Sequence, residues 1–510
     1  MKTKHLMGTV AALALLAPPA AQAQEEPATM PRSAPPAGRI LPRPRIESLR
    51  PEAVTLARKG QKLSVRLEAA AGPAGREGVK LLDRRLRGLG AGGASPVGAA
   101  AAQNPPPVTV SLCTPAELAE QLRVHAAEKL APPRLRQAYS LKITRADAGG
   151  RVRIAAAADR GLYYGLVSLC QLLDADPAGN VSLPVGEVLD WPEIACRLAK
   201  TSGSMNPVRK VARFAQWLAP LKISQVGIQY HGSNSRKPDR NFIENVRTIC
   251  GHYRKTGTLE TIVYFCPFRG GGRAYQFRSD ADKAAYAKFL LSVMAQGAHG
   301  IEVDYNDWPG SKGVPIAEVL NLACRAVLAK HGDAHVLYCP PLSGKECYRG
   351  MATEQMGRTL AKVPPRVHTL WTGMQTLIGR RLKAEQVERW TKIAGRRPFL
   401  WVNRVALGVG SSFSRPVPAA GGARAFCGER LPRQLHRLFE GVHLNAGISR
   451  GYNKLTGEFT PEAMAYLATA ADFLWNPHDW DAAESARRAR RLVEILTPLL
   501  PKAQSADAPE

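Results

Sequence analysis

The chain has 510 residues, 45% of them hydrophobic, enough for a barrel of about 250 residues and at least one further domain. Lysine and arginine number 70 against 42 acids, a formal charge of +28 that suits a polyanionic glycan or an anionic envelope surface as partner. A nucleic-acid partner is disfavoured, because the basic residues are scattered and no dense basic run is interleaved with aromatics.

Lys2 and Lys4 open a stretch that continues with an apolar run at 10–17 and the small residues Ala21 and Ala23. This is the pattern of an export signal over 1–23, cut before Gln24, and it predicts a periplasmic or extracellular protein. The apolar run is too short to span a bilayer, and no later segment approaches ~20 uninterrupted apolar residues, so no transmembrane segment is expected. Residues 18–51 are rich in Pro and Ala and read as an extended linker, which the domain division places at 24–40.

A small α+β domain is predicted over 41–190. Residues 62–68 and 108–113 alternate like strands, 78–89 repeats like a helix, 138–144 and 152–155 form a hairpin around a glycine-containing turn, and a helix follows at 160–173. The nine cysteines are dispersed without a C-x-x-C pair, so at least one thiol stays free in a monomer and neither a zinc site nor any other cofactor is predicted.

Over 191–455 the pattern becomes apolar strand, polar loop, helix, repeated. Strands are predicted at 195–199, 224–230, 261–266, 300–305, 335–339, 367–371, 398–402 and 441–444, with helices including 207–220, 280–296, 314–330 and 384–393. This repeat predicts an α/β TIM (β/α)8 barrel, since short strands apolar on both faces suit a parallel sheet. A helical tail is predicted at 456–500.

Barrel chemistry lies at the carboxyl ends of the strands. The residues predicted there include His231, Asn306, Asp307, Trp308, Ser343, Thr372, Asn403 and Asn445, a mixture of aromatics, amides, hydroxyls and a carboxylate that suits a sugar site. Asp307 is the strongest candidate for protonating a glycosidic oxygen, and capping of the following segment is the alternative. His231 reads either as a site residue or as an ordinary loop histidine, and no partner at ligand spacing makes it a metal ligand.

The stretches 137–144 (Gln-Ala-Tyr-Ser-Leu-Lys-Ile-Thr) and 158–166 (Ala-Asp-Arg-Gly-Leu-Tyr-Tyr-Gly-Leu), with Asp190-Trp191-Pro192, resemble the α+β domain that precedes the barrel in glycoside hydrolase families 20 and 84. Residues 297–308 (Gly-Ala-His-Gly-Ile-Glu-Val-Asp-Tyr-Asn-Asp-Trp) resemble the family 84 strand that ends in two adjacent aspartates. Leu370 to Gly373, Leu400-Trp401-Val402-Asn403, Leu444-Asn445 and Phe473-Leu474-Trp475-Asn476-Pro477 follow in the family's order, and the resemblance spans about 40–490.

The resemblance implies a β-N-acetylglucosaminidase in which the substrate's own acetamido oxygen attacks the anomeric carbon and forms an oxazoline. It assigns Asp307 as general acid and base, and places Trp401, Asn403 and Asn445 around the sugar. The departures are at the partner positions. Asn306 stands where the family has its acetamido-steering aspartate, His231 at its sugar-binding lysine, Ser343 near its tyrosine and Gly408 at a further acid. Two functions follow: a hexosaminidase acting on N-acetylhexosamine glycans, or a catalytically impaired or repurposed barrel that binds glycans.

Overall fold

The computed structural model describes residues 38–67, 71–97, 107–125, 130–147, 149–201, 208–229, 240–265, 277, 279–304, 316–339, 360–372, 381–405, 417–418, 424–446, 452–453 and 456–501. The export signal, Asn306, Asp307, His231, Ser343 and Gly408 lie outside these residues.

The first sheet contains β1 (Ile46–Ala57), β2 (Leu63–Leu67), β3 (Ala94–Val97), β4 (Val108–Leu112), β5 (Tyr139–Ala146), β6 (Gly149–Ala156) and β8 (Val181–Asp190), in the order β1-β8-β5-β6-β4-β2-β3, with the short β7 (Asp174–Ala175) pairing β8. The predicted hairpin is β5 with β6, antiparallel from Tyr139 opposite Ala156 to Ala146 opposite Gly149. Helices Pro73–Gly88 and Asp159–Leu172 bury Leu82, Leu86, Leu162 and Leu166 in the core.

The Pro- and Ala-rich composition that extends to Pro51 does not keep this stretch from joining the fold: Ile40 and Leu41 are fully buried, and β1 runs through Pro51. Proline is tolerated there because β1 is an edge strand, and its register with β8 slips between Leu49 and Ala53, so the missing N–H breaks no regular ladder. β8, for which no strand was predicted, carries Pro184 opposite Ala53 at the same irregularity.

The second sheet is a closed parallel barrel. Its strands are β9 (Cys196–Thr201), β10 (Gln225–Gln229), β11 (Glu260–Phe265), β12 (Gly300–Asp304), β13 (His335–Cys339), β14 (Val367–Trp371), β15 (Phe399–Val405) and, after the short pair β16 (Val417–Pro418) and β17 (Arg424–Ala425), β18 (Gly441–Ala446). Closure runs through β18, which pairs β15 on one side and β9 on the other. Helices Val208–Leu218, Arg240–Thr256, Asp280–Met294, Ile316–Lys330 and Ala384–Ala394 separate the strands. Trp371 faces this outer layer, with its ring 5.6 Å from that of Trp390. The eight-stranded barrel behind an α+β domain is the fold predicted from the sequence.

The tail is two helices, Pro461–Trp475 and Ala482–Leu496, parted at Pro477, whose ring cannot continue a helix. Trp475 closes the first one onto the rest of the fold: its Nε1 donates to Oδ1 of Asp190 at 2.6 Å, at the end of β8. Among the described residues no helix is long and apolar enough to cross a membrane.

Candidate functional site at the barrel mouth

Side chains alternate along each strand, so every second residue enters the barrel. Leu198, Ile262, Leu337, Cys339, Leu370, Phe399 and Trp401 form one interior apolar cluster drawn from five strands. Among and above these residues, toward the carboxyl ends, the interior turns polar, with Lys200 from β9, Tyr264 from β11, Glu302 and Asp304 from β12 and His443 from β18.

Lys200 organises this layer. Its Nζ lies 3.3 Å from Oε1 of Glu302 and 3.7 Å from the centre of the Tyr264 ring, a cation–π contact in a site with almost no solvent. The neighbouring β10 residue is Gly227, and a Cβ there would fall 2.8 Å from the Lys200 Cβ, so the absence of a side chain makes room for the lysine stem. The Tyr264 hydroxyl donates to Oδ2 of Asp304. His443 stacks on Trp401 with centroids 5.6 Å apart and planes 4° from parallel, and its Nδ1 is 3.8 Å from Oε2 of Glu302.

Burial pushes the Glu302 carboxyl up to about 7, with the charge of Asp304 adding to the rise and Lys200 opposing it. Burial, reinforced by Lys200, holds His443 well below its ordinary value, so this imidazole is neutral at neutral pH. Oε2 of Glu302 and both ring nitrogens of His443 are buried and, among the described residues, make no hydrogen bond. The layer combines a cation, two carboxyl groups of which one titrates near neutrality, and aromatic faces, which suits polar sugar chemistry.

Of the predicted site residues, Trp401 lies inside the barrel on β15, 3% exposed, with its face against His443 rather than open to solvent. Asn403 follows on the same strand, in a stretch where the pairing with β18 is irregular between Val402 and Val405. Asn445 is half-buried on β18, opposite Lys200 of β9. These three share the carboxyl ends of two paired strands, while β12 ends at Asp304, three residues before Asp307. Lys200, Tyr264 and Glu302 were not singled out from the sequence. A signal existed for Glu302: a charge inside an apolar parallel strand has to find a partner, because burial of a lone ion is too costly.

The family model described as "Glycosyl hydrolase family 20, domain 2" matches residues 37–191. The structure of CpGH84B is 16% identical, with a TM-score of 0.65, covering 88% of this chain and 73% of that one. The chain is built like the hexosaminidases of families 20 and 84. Within this hexosaminidase-like group, the chitobiase FjGH20 of Flavobacterium johnsoniae is 14% identical with a TM-score of 0.60, covering 90% of this chain and 73% of that one. A GH20 exo-β-N-acetylglucosaminidase from Vibrio harveyi, in complex with N-acetylglucosamine, is 13% identical with a TM-score of 0.58, covering 95% of this chain and 81% of that one. At these identities the likeness is one of fold. No curated protein matches the chain significantly.

Proposed function

We propose that this chain is an exported β-N-acetylhexosaminidase that uses the substrate's acetamido group as the nucleophile. The observation that carries the reading is a family 20-type domain at 37–191 running directly into a closed barrel whose β12 leads to Asn306 and Asp307. Asp307 protonates the leaving glycosidic oxygen while the acetamido oxygen bonds to the anomeric carbon, then takes a proton from the water that opens the oxazoline. Asn306 hydrogen-bonds the acetamido group. His231, Ser343, Asn403 and Asn445 hold sugar hydroxyls, and Trp401 with His443 forms the floor under the ring.

The second reading is a glycan-binding barrel with little or no turnover, favoured by Asn306 and Gly408 standing where the resemblance expects acids. Hydrolysis of an aryl β-N-acetylglucosaminide separates the two. The enzyme reading expects turnover in the wild type that Asp307→Asn lowers, most of all on aryl glycosides with poor leaving groups; a wild type that binds chito-oligosaccharides without cleaving any aryl glycoside would establish the second.

A further inference from the structure

The barrel has a second concave face, at the end opposite the mouth. A cavity of about 1380 Å³ opens there, between the amino ends of the barrel strands, marked by Cys196, Glu260 and His335, and the α+β domain, which contributes Gln137 and Arg160. Every residue lining it is described, in contrast to the mouth.

Seven arginines and four acids line this cavity, and three of the acids, Asp159, Glu260 and Glu440, are already engaged. Asp159 accepts from the backbone N–H groups of Ala74 and Gly75, at 2.5 and 2.9 Å, at the start of helix Pro73–Gly88. Glu260 pairs with Arg160 at 3.0 Å and with His335 at 3.2 Å, Glu440 with Arg397 at 2.8 Å, and Asp333 reaches Arg366 at 4.0 Å. Arg136 and Arg254 are left exposed and, among the described residues, form no ion pair; Arg254 donates only to the carbonyls of Gly297 and Ala298. With seven arginines against four acids, the net charge along the rim is positive and attracts anions.

His299, His331, His335 and His368 are among the residues that line the cavity. His335 and His368 lie with ring centres 6.4 Å apart, and burial holds His368 and His299 down at about 4, so both are neutral near neutral pH. Nε2 of His331 is shielded from solvent and, among the described residues, has no hydrogen-bond partner. Neutral imidazoles each offer a donor and an acceptor as well as a ring face, the complement of sugar hydroxyls and ring C–H groups.

We infer that this cleft binds an anionic oligosaccharide, with sulfate or carboxylate substituents on Arg136 and Arg254 and the sugar rings against the histidines. The site is independent of the chemistry at the mouth. The test is calorimetric titration of the full chain with a sulfated heparin-derived tetrasaccharide, with chitotetraose and with inorganic sulfate. Three proteins are compared: wild type, Arg136→Glu/Arg254→Glu, and Arg58→Glu/Lys59→Glu, which reverses two exposed cations outside the cavity. The expected result is saturable binding of the sulfated tetrasaccharide that weakens about tenfold or more in the cavity variant and stays near wild type in the control. Equal weakening in both variants would assign the binding to overall charge and overturn the site, as would an unaffected cavity variant or no binding at all. Chitotetraose binding that matches the sulfated tetrasaccharide in the wild type and weakens equally in the cavity variant would remove the anionic requirement, whereas chitotetraose bound alike by both proteins sits at the mouth; inorganic sulfate competing at equal concentration would reduce the site to one for a simple anion. Unchanged unfolding midpoints in both variants keep a loss of binding from being a loss of fold.

Discussion

Nζ of Lys222 lies 2.9 Å from Oδ2 of Asp190, and both side chains are completely buried. The same carboxylate accepts from the Tyr139 hydroxyl at 2.7 Å and from Nε1 of Trp475 at 2.6 Å. One aspartate thus ties together β5, β8, the segment before β10 and the first tail helix, and the Asp-Trp-Pro and Phe-Leu-Trp-Asn-Pro pieces that carry the family resemblance meet in a structural clamp.

Removing one member of such a buried group leaves the others uncompensated. Asp190→Ala should destabilise the fold by about 3–5 kcal/mol, because it strands a buried ammonium and two donors. Lys222→Met should cost distinctly less, since Asp190 keeps its bonds from Tyr139 and Trp475. Guanidinium unfolding of the two variants checks the order; equal losses would mean that the clamp depends on the ion pair alone.

Glu302 should make stability depend on pH. Its folded value of about 7 lies above the ordinary 4.5, so the fold favours the protonated acid. That contribution is whole below about pH 4.5 and is lost as pH rises through 7, at up to about 1.4 kcal/mol per pH unit in that window. Glu302→Gln keeps the shape without the titration, and its unfolding free energy should fall less between about pH 5 and 8 than that of the wild type. A variant with the wild-type slope would exclude Glu302 as the source.

Two glycine substitutions should have opposite signs. Gly227→Ala forces a methyl group to within 2.8 Å of the Lys200 Cβ and should cost about 1–3 kcal/mol as the lysine is displaced from Glu302. Gly251→Ala lies in helix Arg240–Thr256, where a Cβ meets nothing within 4 Å, and should stabilise by about 0.4–1 kcal/mol. Thermal midpoints of the two single variants read both signs directly.

The proposed chemistry predicts how rates depend on the leaving group. Asp307→Asn should hurt aryl N-acetylglucosaminides with poor leaving groups far more than activated ones, which need little protonation. Asn306→Asp should raise kcat on N-acetyl substrates by up to about 100-fold, because a carboxylate stabilises the developing oxazolinium charge better than an amide. Kinetics on a series of graded leaving-group pKa test both; an Asp307→Asn enzyme with unchanged rates throughout the series would take that residue out of the mechanism.

The strands β13 and β14 occupy the residues read from the sequence, 335–339 and 367–371, because a short, mostly apolar segment rich in β-branched and aromatic residues reads as a buried parallel strand even with His368 and Thr369 inside it. The hairpin of β5 and β6 was legible for a similar local reason, its turn marked by glycine. β1 was not, because an edge strand with six exposed residues, one of them a proline, has no apolar run to show. In the same way, the order of motifs along the barrel was visible in the sequence, and it set the fold and the neighbourhood of Trp401, Asn403 and Asn445. What only the tertiary structure decided is which charges are shared. Lys200 and Glu302 are 102 residues apart, and Asp190 and Trp475 are 285 apart. A strand or a turn is settled by its nearest neighbours along the chain, whereas the cost of burying a charge is offset only when a closed barrel brings the partner to it from elsewhere in the sequence.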